Sequence, residues 1–132
     1  MIVDTSALIA IAQNEPEAAA LSLAVSQADT ISISASTLLE AWIVIDGRRN
    51  PVVSRRFEEA LASTAIAIVP FNEEHLRIAR QAYRDYGRGS GHPANLNFGD
   101  CFSYALAAER REPLLYVGDD FVHTDIRSAL AD

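Results

Sequence analysis

Five acidic residues in this chain are spaced so that they could act together on a cation. They are Asp4, Glu40, Asp100, Asp119 and Asp120. Carboxylates that converge without a cation repel one another and raise their own pKa values, and a bound divalent ion resolves that conflict. Ligands that are all oxygen favour magnesium or manganese over zinc or copper. Because such an ion can activate water and neutralise charge on a phosphate, the pattern indicates phosphodiester hydrolysis.

Each acid also has a structural interpretation when it is taken alone. Glu40 follows Thr37 by three residues and Asp100 follows Asn97 by three, which is the spacing of a helix capping box. The adjacent aspartates near the C-terminus could be ordinary turn residues. Both interpretations stay open for each residue, and the recurrence of acids at comparable positions favours a shared site.

The elements that must position these acids follow from the apolar pattern. Short β-branched or apolar runs predict strands at 1–3, 31–33, 66–69 and 114–117. Helical stretches with plausible caps are predicted at 7–12, 18–28, 37–45, 51–62, 73–86 and 101–111, with Thr5 and Ser6 as the capping residues of the first. Strands that alternate with helices imply an α/β fold with a mostly parallel sheet covered on both faces.

This fold class explains why the acids could converge. In an open parallel sheet the binding crevice lies beyond the carboxyl ends of the strands. Asp4 follows the first predicted strand and the adjacent pair follows the last, while Glu40 and Asp100 lie in the opening turns of helices that should start at the same edge. We therefore expect one site at that edge.

Composition limits the possible functions. The 132 residues, 49% of them hydrophobic, are expected to form a single domain over 1–132. No apolar stretch reaches the length of a membrane span and the start lacks a basic leader, so we expect a cytoplasmic protein without a membrane partner. The net charge of −7 argues against nucleic-acid binding over the whole surface, so any such contact must be local.

Four segments together resemble a known family, and they occur in its order along the whole chain. They are MIVDTSAL at 1–8, LLEA at 38–41, NFGDCFSYALA at 97–107 and LLYVGDDF at 114–121. These segments resemble the PIN-domain toxins of the VapC type. The resemblance implies a three-layer α/β/α domain that cuts RNA with Mg²⁺ or Mn²⁺ and is neutralised by a cognate VapB-like antitoxin. It also leads us to expect a homodimer and a toxin–antitoxin hetero-oligomer.

Carried over residue by residue, the resemblance assigns roles to the acids. Asp4, Glu40 and Asp100 match the first three acids of the family's site, and Thr5 or Ser6 is the hydroxyl neighbour of the first. For the fourth acid, successive residues near a strand end point to opposite sides, so only one of the adjacent pair should reach the metal. All five acids are catalytic candidates, and the candidate metal ligands are Asp4, Glu40, Asp100 and Asp119, with Asp120 kept as the alternative.

Some basic residues could hold the RNA or an inhibitor. Arg77, Arg80, Arg84 and Arg88 follow helical spacing, and this stripe is either a solvated face or a phosphate-contacting track. From this stripe we take Arg80 and Arg84 as candidate RNA contacts. His92, in the loop that precedes Asp100, is a third candidate. An antitoxin's C-terminal segment could place an arginine or lysine among the acids and contact apolar surface at Leu8, Ile11 and 42–45.

Other residues are assigned to the surface or the core. His75 and His123 are expected at the surface, and Trp42, Tyr104 and the single cysteine, Cys101, in the core.

Two other functions are alternatives to a metal-dependent ribonuclease. Phosphoryl-acceptor modules of the receiver and haloacid-dehalogenase types also place aspartates at strand ends, but both need a lysine, and all eleven basic residues here are arginine. A catalytically degenerate PIN domain acting as a binding or scaffolding module stays open.

Overall fold

The computed structural model describes residues 1–130 as a parallel sheet with helices on both faces. Its strands are β1 (Ile2–Val3), β2 (Ile31–Ser34), β3 (Ile66–Val69) and β4 (Leu114–Leu115). Its helices are α1 (Thr5–Ala12), α2 (Ala18–Gln27), α3 (Ala35–Asp46), α4 (Pro51–Ala62), α5 (Glu73–Tyr86) and α6 (Phe98–Arg110), and a 3₁₀ turn follows at Phe121–His123. No helix within 1–130 is long and apolar enough to cross a membrane.

The sheet order places the first strand at the centre of the fold. The strands run in the order β3-β2-β1-β4, and every pairing is parallel. Ile2 lies opposite Ser32 on one side and Leu114 on the other. Asp4, which directly follows β1, therefore lies near the middle of the carboxyl edge, beside the turn that follows β4. The predicted α/β class with four strands is confirmed.

The two residues of β1 belong to different hydrophobic cores, one on each face of the sheet. Val3 belongs to the core that contains Leu21 and Ile45, whereas Ile2 belongs to the core that contains Leu106. All of these side chains are at most 1% exposed. Because burial of a side chain of this size contributes about 1.5–3 kcal/mol, the two cores hold the helical layers against the sheet. The predicted three layers follow from this arrangement.

Several element ends differ from the prediction, and a specific hydrogen bond accompanies each difference. Helix α1 begins at Thr5 and takes Asp4 as its N-cap, where we had expected Thr5 and Ser6 to cap it. Helix α6 begins three residues before the predicted start, because Asn97 caps it in a capping box with Asp100. Strand β4 ends early because the Val117 N–H donates to the Ser6 hydroxyl, 3.0 Å away.

The surface position predicted for His75 is wrong. Its side chain is 1% exposed on the inner side of α5, the helix that packs against α6. Nε2 lies 3.1 Å from Glu109 Oε1, so one ring nitrogen has a polar partner. His123 is exposed, and Tyr104 and Cys101 are buried, as predicted. Trp42 is partly buried and packs edge-to-face on Phe57, with ring centroids 4.8 Å apart.

Candidate active site

Asp4 is the most firmly held acid at the carboxyl edge. It is 4% exposed, and its Oδ2 accepts hydrogen bonds from the Ser6 N–H at 3.0 Å and the Ser6 hydroxyl at 2.6 Å. Its Oδ1 accepts a hydrogen bond from the Ser103 hydroxyl at 2.5 Å. Ser103 is also 3.2 Å from the Thr37 hydroxyl. The Asp4 carboxylate is therefore oriented by α1 and α6 at once.

Glu40 reaches the same region from α3. The Thr5 hydroxyl donates to Glu40 Oε1 at 2.7 Å and also lies 3.1 Å from the Thr37 carbonyl oxygen. On its other side the Glu40 carboxylate rests on Gly99, where a Cβ atom would clash with both carboxylate oxygens. Any larger residue at position 99 would displace the acid. Thr5 is thus a positioning residue for Glu40, and Ser6 for Asp4.

Asp100 takes part in capping helix α6, and its site role stays a prediction. Its Oδ2 accepts from the Asn97 N–H at 2.9 Å while Asn97 Oδ1 accepts from the Asp100 N–H at 2.9 Å, which completes the capping box. Burial raises the pKa of this carboxyl from 3.8 to about 7, with further contributions from Asp4 and Asp120, while the Asn97 N–H opposes the rise. This carboxyl is therefore largely removed from solvent, and two further acids lie near enough to add to the rise of its pKa.

The structure distinguishes the two adjacent aspartates. Asp120 is partly buried and is one of the acids that raise the pKa of Asp100. Asp119 is exposed. The two aspartates follow Gly118, whose φ of +103° lies in the region that favours glycine, so the chain turns directly after β4. We therefore take Asp120, the alternative named from the sequence, as the fourth candidate metal ligand, and this assignment stays a prediction.

The acids approach one another without forming a finished coordination shell. Within residues 1–130, no three His, Cys, Asp or Glu side chains are placed to hold a metal ion together. The donors are nevertheless all carboxylate oxygens, and none of Asp4, Asp100 and Asp120 forms an ion pair with a described Arg or His. The chemistry of this donor set suits a hard divalent cation.

Sequence reasoning missed two residues of the site, Ser103 and Gly99. Ser103 lies one helical turn after Asp100, and that spacing places both side chains on one face of α6, so it was a usable signal. The need for glycine at position 99 had no local signal, because it arises from contact with Glu40 on another helix.

The candidate RNA contacts separate into two groups. Arg80 and Arg84, with Arg88, line a groove of about 1120 Å³ that extends to Glu40. Arg77 does not line it and lies 3.6 Å from Glu73 in an exposed pair. His92 accepts from the Ala94 N–H at 3.1 Å and its ring packs on Tyr86, so it stabilises the loop. Its role as an RNA contact stays a prediction.

Cys101, next to Asp100, is not a candidate nucleophile. It is 6% exposed, and its burial, together with the neighbouring Asp100, raises the pKa of the thiol to about 11. A thiol with this pKa stays protonated near neutral pH. The acids are therefore the groups through which this edge could do chemistry.

The chain is similar to known proteins over nearly all of its length. The PIN domain family matches residues 1–127. Ribonuclease VapC28 of Mycobacterium tuberculosis is 54% identical over 130 residues, which cover 98% of each chain, and ribonuclease VapC42 of the same species is 47% identical over 129 residues with the same coverage. A toxin–antitoxin complex from Klebsiella pneumoniae has the same fold, with a TM-score of 0.72 at 18% identity over 97% of this chain and 96% of that one. The chain therefore belongs to the PIN-domain family, among the VapC ribonucleases.

Proposed function

We propose that this chain is a metal-dependent endoribonuclease that acts in the cytoplasm as the toxin of a type II toxin–antitoxin module. The observation that carries the proposal is the convergence of Asp4, Glu40, Asp100 and Asp120 at the carboxyl edge of the sheet of a VapC-type chain. A magnesium or manganese ion bound there would lower the pKa of a water molecule and stabilise negative charge on the phosphate.

The chain's own residues prepare this site in separate ways. The Ser6 hydroxyl donates to Oδ2 of Asp4 and the Ser103 hydroxyl donates to Oδ1, so the plane of the carboxylate is fixed. Thr5 holds Glu40 at the opposite side of the edge. The charges of Asp4 and Asp120 raise the pKa of Asp100. A bound cation would oppose them and favour the ionised form of Asp100. These four carboxylates are the proposed metal ligands.

A cleavage assay with single variants tests this function. The purified protein should cut single-stranded RNA with magnesium or manganese and lose that activity when both are chelated. Asp100→Asn keeps the side-chain shape and the acceptor for the Asn97 N–H, so it should fold and yet lose at least about 100-fold in rate, the scale of removing a group that positions or stabilises reacting charge. Asp119→Asn is the matched control and should cut like the wild type.

Two outcomes of this assay would contradict the proposal. Wild-type rates from Asp100→Asn would remove the acid from the site. RNA binding without cleavage in either metal would favour a degenerate PIN domain that only binds.

We propose that the partner is a VapB-like antitoxin, with the assembly a hetero-oligomer of toxin homodimers. An apolar groove of about 680 Å³ between α1, α2 and α4 supports this, and its lining includes Leu8 and Ile11. In the 42–45 segment, by contrast, Ile43 is 63% exposed and suits an interface, whereas Ile45 is fully buried in the core. A basic side chain of the partner would be attracted to the acids at the sheet edge.

Titration calorimetry on a separated pair tests where inhibition occurs. The double variant with Asp4→Asn and Asp100→Asn should weaken antitoxin binding, and added magnesium should compete with it. Ile11→Ala should also weaken binding, whereas Leu23→Ala, at an exposed position of α2 outside the groove, should not. Equal affinity for the wild type and the acid variants, without magnesium dependence, would place inhibition away from the acids.

A further inference from the structure

The groove beside Glu40 carries an unusual amount of exposed apolar surface. Phe98, the first residue of α6, is 79% exposed, and Leu76 and Tyr83 on α5 are 55% and 47% exposed. Phe102 completes this side of the groove. Exposed apolar residues that cluster in this way mark a binding surface, whereas isolated ones do not.

The aromatic wall of the groove is held in place before any ligand arrives. The Phe98 ring packs edge-to-face on Phe102 with centroids 4.8 Å apart, and Phe102 packs on Phe71 at 5.2 Å. The Tyr83 hydroxyl donates to the Arg88 carbonyl oxygen at 3.0 Å. A preformed wall loses little side-chain entropy when a flat ring stacks on it.

Charge on the same groove restricts what can occupy it. Arg80, Arg84 and Arg88 line the groove, and none of them forms an ion pair with another residue within 1–130. Among residues 1–130, Glu40 is the only acid of the groove lining, and it lies at the end that meets the candidate active site. A purely apolar partner would leave these arginines without counter-charges, and a bare phosphate would leave Phe98 exposed. A polyanion with flat rings satisfies both features.

We infer that this groove binds single-stranded RNA, with an unpaired base stacked on Phe98 and the adjoining phosphates on Arg80 and Arg84. This inference rests on the proposed function for the identity of the polyanion. The strand would then run along the groove toward Glu40 and the other acids. Since a base must leave its helix to stack on a side chain, the groove selects RNA that is single-stranded next to the cleaved bond.

Binding measurements in the absence of divalent metal test the stacking contact. Fluorescence anisotropy with a short labelled single-stranded oligoribonucleotide should show that Phe98→Ala weakens binding by about 5- to 140-fold, the range for one base–aromatic contact. Phe98→Trp should keep or improve the affinity. Val122→Ala is the control, because Val122 is 58% exposed and lies outside the groove.

An oligomer of abasic ribose phosphates isolates the base from the backbone. It should bind the wild type about as weakly as normal RNA binds Phe98→Ala, and Phe98→Ala should not weaken it further. Arg80→Ala should weaken both oligomers and reduce the slope of log affinity against log salt by about 0.7, the value for one phosphate of a single strand. Arg77→Ala, on the same helix but outside the groove, should leave the slope unchanged.

Two results would overturn the inference. One is equal affinity of the wild type and Phe98→Ala for normal RNA. The other is that Phe98→Ala changes the protein from dimer to monomer in sedimentation while its RNA affinity is unchanged. That result would show that the groove is a contact between two copies of the chain. Failure of the nuclease proposal looks different, because RNA would then bind as described and stay uncut in either metal.

Discussion

Replacing Asp100 with asparagine should remove a pH dependence of stability in the metal-free protein. In the folded chain burial, with Asp4 and Asp120 nearby, raises the pKa of Asp100 from 3.8 to about 7. A carboxyl whose pKa is raised by folding binds its proton more tightly in the folded state. Its contribution to stability is therefore complete below the unfolded pKa and is lost as the pH rises through about 7.

The size of the effect follows from the shift itself. A shift of about three units corresponds to about 4 kcal/mol between the protonated and ionised limits. Between about pH 5 and about pH 8, where most of this difference falls, the folded wild type should lose about 2.5 kcal/mol of unfolding free energy through this one group. Asp100→Asn cannot ionise and should lose none of it. The variant should thus become relatively more stable than the wild type as the pH rises.

Urea unfolding in a chelating buffer at several pH values measures this directly. Subtracting the Asp100→Asn curve from the wild-type curve cancels the acids that do not interact with Asp100. Asp119→Asn is the matched control and should follow the wild type, since Asp119 is exposed. Asp120→Asn should give a shallower dependence because it removes one of the charges acting on Asp100. Parallel curves for the wild type and Asp100→Asn would refute the reasoning.

Three further substitutions test how the site is held. Gly99→Ala should push the Glu40 carboxylate away and lower RNA cleavage, with little loss of stability. In a double-mutant cycle, the effect of Gly99→Ala on cleavage should nearly vanish when Glu40 is also replaced by alanine. Ser103→Ala removes the donor to buried Asp4 and should cost about 1–3 kcal/mol in chemical unfolding; an unchanged midpoint would contradict that bond. Asn97→Ala removes the cap of α6 and should cost about 1 kcal/mol, measured in the same way, whereas an unaltered unfolding curve would argue against the capping box.

The sequence alone determined most of the elements, because their signals are local. The bounds predicted for α4, β3 and α5 agree with the structure, since a proline, a β-branched run and the capping Asn72 act within a few residues of the ends they define. The order of strands and helices was enough to predict a parallel α/β sheet. The family resemblance, and with it the VapC ribonuclease class, is also confirmed. The catalytic and metal-binding roles of the acids stay predictions.

Tertiary structure decided what depends on distant segments meeting. Asp4 and Ser103 are 99 residues apart in sequence, so their hydrogen bond could not be predicted from local spacing alone. The effect of Asp120 on the pKa of Asp100 depends on where the turn after β4 places it, and the burial of His75 required the packing of α5 on α6. Local propensity specifies where an element begins and ends, but the partner that each side chain finds is specified only when the core brings the elements together.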